Sequence, residues 1–281
     1  MDTNANRILA VIDPTRTEQW ALQKAIAMQR NRSNGARVFA FLCAHATNPS
    51  SDPAELKEAE LRRNRLWLDE ILGNLAVEGV QVEPLVEWHS NWRLAVCEAA
   101  ASVGADIVIK RASGRQNSLG NSDRFLIRHL RDSAVLVLKH EPTAGTQKVL
   151  IAVDFNATDK KSVDLNKAIM ALGKSVRGGR TEVELHSISA YSQSDRFIHP
   201  QDVAKSLGIP RGHAHVRLGN AADVIPQTAE ETGAHLVIVG NAGRRGISGI
   251  TIGNTAEKIL ADISADVLVL VHELDGQLAA A

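Results

Sequence analysis

Gly240, Gly243, Gly246, Gly249 and Gly253 punctuate the stretch from Val237 to Leu260. Before them stands a short apolar run, Val237-Ile-Val, and after them Asn254-Thr255 followed by helix-forming residues. Strand, glycine-rich loop and helix start, in that order, make a phosphate cradle. Glycine has no Cβ and tolerates positive φ, so backbone N–H groups can converge on an anion. Thr255 is placed to cap a helix whose free N–H groups face the same anion. The spacing, Gly240-x2-Gly243-x9-Gly253-Asn254-Thr255, is neither the dinucleotide pattern G-x-G-x-x-G nor, without Gly-Lys-Ser/Thr, a P-loop. The same glycines would also serve a tight surface loop, and Asp154, at the end of an apolar run, would also serve as a turn cap.

The elements that must hold this loop are legible. Arg7 to Asp13, stopped by Pro14, reads as a buried strand, and Thr17 to about Asn34 as a helix with Trp20, Leu22, Ala25, Ile26 and Met28 near helical spacing. Arg37–Cys43 is a second strand, Glu55 to Val77 a long amphipathic helix, and Gln81–Trp88 a third strand, placed at an edge by Pro84. A helix from Trp92 to Ser102 leads to a fourth strand, Ala105–Lys110. The loop Arg111–Ser122 leads to a helix ending near Arg131 and a fifth strand, Ala134–Leu138. Glu141–Gln147 looks like a linker, after which the pattern restarts. Lys148–Asp154 repeats the first strand, Gly233-Ala-His-Leu-Val-Ile238 repeats Gly104-Ala-Asp-Ile-Val-Ile109, and Val267–His272 repeats Val135–His140. The second copy is shorter in its middle, where Tyr191–Leu207 has room for at most two helical turns, and longer at the glycine loop. Alternating strands and helices, duplicated, predict an α/β protein of two tandem, doubly wound, five-stranded parallel sheets with domains at 1–143 and 144–281.

Bulk properties narrow the function. With 281 residues, 44% hydrophobic and 23% charged, the chain has the composition of a globular protein. Its formal net charge of zero lacks the basic excess of a nucleic-acid or anionic-membrane binder. The polar start Met1-Asp-Thr-Asn-Ala-Asn has no apolar leader segment, and no run reaches the ~18 apolar residues of a membrane span, so a soluble cytoplasmic protein is expected. Cys43 and Cys97 imply neither a disulfide nor a zinc framework and read as small core residues.

Two α/β repeats, each closing its first strand on an aspartate (Asp13, Asp154), with Gly-x2-Gly-x9-Gly-Asn-Thr after one fourth strand, resemble the universal stress protein family. Val11-Ile-Asp-Pro14, Val86-Glu-Trp-His-Ser90 and Ile252-Gly-Asn-Thr-Ala-Glu257 resemble its tandem E-type members, and the likeness covers essentially the whole chain. The resemblance implies the adenine nucleotide alpha hydrolase-like fold, two domains related by a pseudo-twofold, and ATP (or ADP or AMP) bound at the carboxyl ends of the second domain's strands. On this likeness Asp154 faces the adenine and ribose, and Ser187 offers backbone groups to the adenine edge. Gly240, Asn241, Gly243 and Arg244 line the ribose and first phosphates, and Gly253, Asn254 and Thr255 meet the outer phosphates. Asn254 departs from the family, which usually has Ser or Thr there. The first repeat departs further: Arg111 stands at the Gly240 position and the interval from Gly114 to Gly120 is short. An arginine in place of a positive-φ glycine is expected to exclude phosphate. The second domain alone is therefore expected to bind nucleotide, as a stress-response module. The apolar fifth strands, Ala134–Leu138 and Val267–Val271, are expected to pair as an internal pseudo-dimer, since both would otherwise be exposed edges. A further homodimer and an unidentified protein partner remain open.

Other residues carry weaker signals. Arg244 and Arg245 suit phosphate pairing or solvation of the loop. His213-x-His215 is read as strand, both rings on one face, but two ligands do not complete a zinc site and no metal site is expected. His89 and His186, near strand ends, read as hydrogen-bonded packing residues, Trp67, Trp88 and Trp92 as cover between helices, and Asp13 as a cap. No G-x-S-x-G or H-E-x-x-H pattern supplies catalysis, and no carboxylate cluster near the loop is evident to hold Mg²⁺. The alternatives are a nucleotide-independent scaffold for a protein or apolar ligand, a slow ATPase using Asp154 or a loop side chain, and a flavin-bearing electron-transfer module.

Overall fold

A computed structural model describes residues 7–30, 36–44, 53–74, 81–114, 119–143, 145–177, 182–241, 244–246, 249–251 and 259–271. The chain divides into two compact units, Met1–Arg111 and Ala112–Ala281. Among the described residues no helix is long and apolar enough to cross a membrane.

The first unit contains β1 (Arg7–Val11), α1 (Trp20–Arg30), β2 (Arg37–Ala44), α2 (Pro53–Asn74), β3 (Val82–Trp88), α3 (Trp92–Val103) and β4 (Ile107–Arg111). Its strands lie in the order β3-β2-β1-β4, all parallel. Ile8, Leu9, Ala10, Phe41, Ile107 and Ile109 are buried, as befits strands covered on both faces. β3 takes the outer place expected from Pro84, which is exposed. α1 begins at Trp20 rather than Thr17, because the chain before it is held in turns. The Asp13 carboxylate accepts from Thr15 N and Oγ1, and the Gln19 amide bends back to donate to the carbonyls of Asp13 and Arg16.

The second unit contains α4 (Asn121–His129), β5 (Ala134–Leu138), β6 (Gln147–Ala152), α5 (Lys160–Arg177), β7 (Val183–Tyr191), α6 (Pro200–Leu207), β8 (Ala214–Leu218), α7 (Ala221–Thr232), β9 (Leu236–Asn241), β10 (Arg244–Gly246), β11 (Gly249–Thr251) and β12 (Asp266–Val271). Its main sheet runs β5-β12-β9-β6-β7-β8, parallel except where β5 meets β12. The two fifth strands do pair, antiparallel, with Leu136 opposite Leu268. Asp266 closes that ladder by accepting from the backbone N–H groups of Lys139 and His140. The glycine stretch is not a single loop: Arg244–Gly246 and Gly249–Thr251 form a two-stranded antiparallel ribbon. The β-branched Ile250 and Thr251 favour extended backbone there. The repeat also reaches the helix caps. Asn91 caps α3 and Asn220 caps α7 through their side-chain oxygens, and each helix ends on a left-handed glycine, Gly104 (φ 61°) or Gly233 (φ 64°).

Lys139 follows β5 and is 4% exposed, its Nζ donating to the carbonyls of Leu260 and Ile263. Burial holds its pKa below the ordinary lysine value, although the charges of Asp266, Asp123 and Asp262 oppose that shift. The unfolded chain therefore binds this proton more tightly than the native one. The penalty is constant below the native pKa and is relieved as pH rises toward the ordinary value. Compared with Lys139→Met, the unaltered chain is expected to gain stability as pH rises toward the ordinary lysine value of 10.5. Thermal melts of both proteins over that rise check this, and a constant difference would refute it.

Candidate functional site

The carboxyl ends of β6, β7 and β9 open into a cleft of about 930 Å³ within the second unit. Ile188, Ile225 and Val239 give it an apolar wall, and Asp154, Asn156, Arg196 and Asn241 a polar one. Asp154 is exposed just beyond β6. Its carboxylate accepts from Asn156 N at 2.9 Å, the turn chemistry foreseen for it. The Asn166 amide clamps the same residue, accepting from Asp154 N at 3.2 Å and donating to Asp154 O at 2.6 Å. Gln19 brackets Asp13 in the same two-way fashion, at 3.0 and 2.9 Å. Each repeat thus locks the end of its first strand with an amide, which aims the aspartate outward.

Gly240 and Asn241 line the cleft, Asn241 being nearly buried. Gly240 is not in the left-handed region: it is a β9 strand residue in register with Leu270. Glycine is required there by packing, because a Cβ would lie 2.5 Å from Leu165 Cδ2 and 2.7 Å from Leu165 Cγ on α5. Ser187 is placed differently from the expectation. It is fully buried in mid-strand, in register with Ile151 on one side and Ala214 on the other, so the sheet engages its backbone, and it does not line the cleft. Ala190 and Tyr191, farther along β7, line it instead. Arg244 lies on β10, its backbone opposite Thr251. Gly243, Gly253, Asn254 and Thr255 lie outside the described residues.

Sequence reasoning missed Gly219 and Asn220, which also line the cleft. Gly219 has φ 143°, its N–H donates to Tyr191 O at 2.9 Å, and Asn220 caps α7. A Gly-Asn pair before a helical pattern was the available signal.

At the equivalent positions of the first repeat, Arg111 and Asp123 make contacts with the chain itself. The Arg111 guanidinium lies 3.5 Å from the centroid of the Trp20 ring, a cation–π contact. In α4, the Asp123 carboxylate is fully buried and accepts from Ser113 N (2.9 Å), Ser113 Oγ (2.9 Å) and Gly120 N (2.7 Å). Aligning Gly120-Asn-Ser with Gly253-Asn-Thr puts Asp123 at the position of Ala256. A carboxylate thus occupies the backbone donors that a phosphate loop would present to its ligand.

A second cluster lies near the amino ends of β7 and β8. His213 is in a 3-10 turn, Arg211–His213, after Pro210, rather than on the strand with His215. The rings of His186 and His213 stack, with centroids 4.1 Å apart, and His186 Nδ1 lies 3.3 Å from His215 Nε2. Burial, followed by the charges of His213 and His215, lowers the His186 pKa to about 4, so the ring is neutral at pH 7.

The sequence profile of the Universal stress protein family matches residues 4–137 and again 145–271. The chain belongs to the universal stress protein family. It is similar to Universal stress protein E of Escherichia coli K12, with 25% identity over 94% of this chain and 93% of that protein. Its identity to the Universal stress protein E homolog of Haemophilus influenzae is 23%, over 93% of this chain and 96% of the relative. In fold it resembles a functionally unknown protein of Pseudomonas aeruginosa PAO1 (TM-score 0.79, 24% identity, 98% of this chain and 95% of that one). It also resembles a universal stress protein of Archaeoglobus fulgidus DSM 4304 (TM-score 0.68, 17% identity, 95% and 96%). The tandem α/β architecture with a mostly parallel sheet is therefore that of the family.

Two stability experiments check the contacts that distinguish the repeats. Asp123→Ala removes a buried acceptor from three part-buried hydrogen bonds and is expected to cost about 1–3 kcal/mol in denaturant unfolding. A loss under ~1 kcal/mol would show that water replaces the carboxylate at little cost. Gly240→Ala is expected to cost about 1–3 kcal/mol, and combining it with Leu165→Val should lose less than the sum of the two.

Proposed function

We propose that the cleft of the second repeat binds an adenine nucleotide and that this family member acts as a nucleotide-responsive stress module. The observation that carries the reading is the asymmetry between repeats. The second keeps an open cleft where the first has Arg111 over Trp20 and Asp123 on its loop donors. The apolar wall of Ile188, Ile225 and Val239 suits a flat base. Asp154, an acceptor, suits ribose hydroxyls or the adenine amine and would repel phosphate. Arg196 and the start of α7 supply positive potential. In this reading Gly240 and Asn241 lie beside the ribose, Gly243 and Arg244 beside the first phosphates, and Gly253, Asn254 and Thr255 at the outer phosphates. Ala190 and Tyr191 take the adenine-edge role first expected of Ser187. Mg²⁺ would enter with the triphosphate.

Calorimetric titration with ATP tests this. Asp154→Ala removes a charged acceptor and is expected to weaken binding at least about tenfold. Gly253→Asp puts a negative side chain in the loop and is expected to abolish binding. Absence of binding by the unaltered protein, or an affinity unmoved by Gly253→Asp, would sink the proposal. Mass spectrometry of the supernatant after denaturation identifies any nucleotide carried through purification.

A further inference from the structure

The histidines near the amino ends of β7 and β8 have no role in the cleft. Alternation along β7 puts Glu184 and His186 on one face, and the parallel register, with Ser187 opposite Ala214, brings His213 beside His186. One donor atom from each of Glu184, His186 and His213 lies within 4.8 Å of the others. His186 is the buried member. Its Nε2 makes no hydrogen bond and faces Glu184 Oε2 at 3.7 Å, while its Nδ1 is engaged by His215 Nε2 at 3.3 Å. In the tautomer protonated at Nδ1, which would donate to His215 Nε2, the Nε2 lone pair is directed toward Glu184.

We propose that Glu184, His186 and His213 form a binding site for a zinc-class transition-metal ion, with His215 positioning His186. Two imidazoles and one carboxylate make a His₂Glu set, which leaves a fourth position for water. Ligand atoms about 2.0–2.1 Å from tetrahedral zinc stand roughly 3.3 Å apart. The Glu184 carboxylate, half exposed, needs only a small side-chain rotation to reach that separation. His213 needs a larger one. Stacked rings, here inclined by 18°, hold their lone pairs in nearly parallel planes, so its imidazole must turn out of the stack to share an ion with His186. Its place in a half-exposed 3-10 turn leaves room for that. His215 acts as the outer partner that fixes the tautomer and orientation of a metal-binding histidine. The ligands stand at the opposite end of β7 from Ala190 and Tyr191, so this site is separate from the nucleotide cleft.

The test is titration of the full chain, free of any affinity tag, with zinc chloride, read by calorimetry and elemental analysis. One zinc per chain is expected. His213→Ala should weaken binding by more than about 100-fold, and His215→Ala, acting through His186, by about 10- to 100-fold. His129→Ala, at an exposed histidine outside the cluster, should bind as the unaltered protein does. Zinc should also shift the His186 and His213 imidazole resonances together, reporting loss of the stack. His213 is half exposed, so its variant is expected to fold, which a circular-dichroism melt verifies, and it is the deciding one. Failure of the unaltered chain to take up zinc, or uptake that survives His213→Ala, would overturn the proposal.

Discussion

The cleft of the second repeat depends on how closely α5 can lie against the sheet. Two glycines permit that approach. Gly240 on β9 leaves its space to Leu165 and Ile169, and Gly173 on α5 leaves its own to Ile151. With the helix seated this low, the carboxyl ends of β6, β7 and β9 stand clear and the start of α7 closes the other side. The buried face of α5, with Leu165, Ile169 and Leu172, supplies the apolar burial that holds it there. The first repeat has bulk at the matching position, the Arg111 guanidinium standing 3.5 Å from the centroid of the Trp20 ring.

Much of this was legible in the residues. Strands buried on both faces are uninterrupted apolar runs, and a duplicated order of such runs is hard to mistake, so the architecture and the β5–β12 pairing could be read directly. Asp154 and Gly240 were legible as parts of the cleft, but the reason for Gly240 was not. A close approach to a helix many residues earlier leaves no local mark, whereas positive φ is the first thing a glycine suggests. Ser187 shows a different limit. The pattern reveals that β7 is a strand but not how far along it the sheet stops and the cleft begins. The histidine cluster was hidden for a similar reason, since register alone carries His186 to residues 27 and 29 positions later.

The polar groups of β7 are sorted by position along one strand. Its amino end gathers imidazoles with a carboxylate, borderline nitrogen donors beside a hard oxygen donor. Its middle is sealed, with Ser187 and Ser189 buried among ladder partners. Its carboxyl end opens among an aspartate, amides and an arginine. The buried middle separates these two groups of side chains along the strand.

Asp123 gives the first repeat a property that free ligands cannot. A carboxylate tethered three residues from the N–H it accepts has an effective concentration far above that of any solute and is never diluted away. The donors of Ser113 and Gly120 are therefore held by the chain's own carboxylate. Ala256, at the matching position, offers no such occupant. On the proposed reading, duplication leaves one copy whose loop donors are held by its own carboxylate and another whose stability would rise with ligand activity, the arrangement of a sensor with its own reference half.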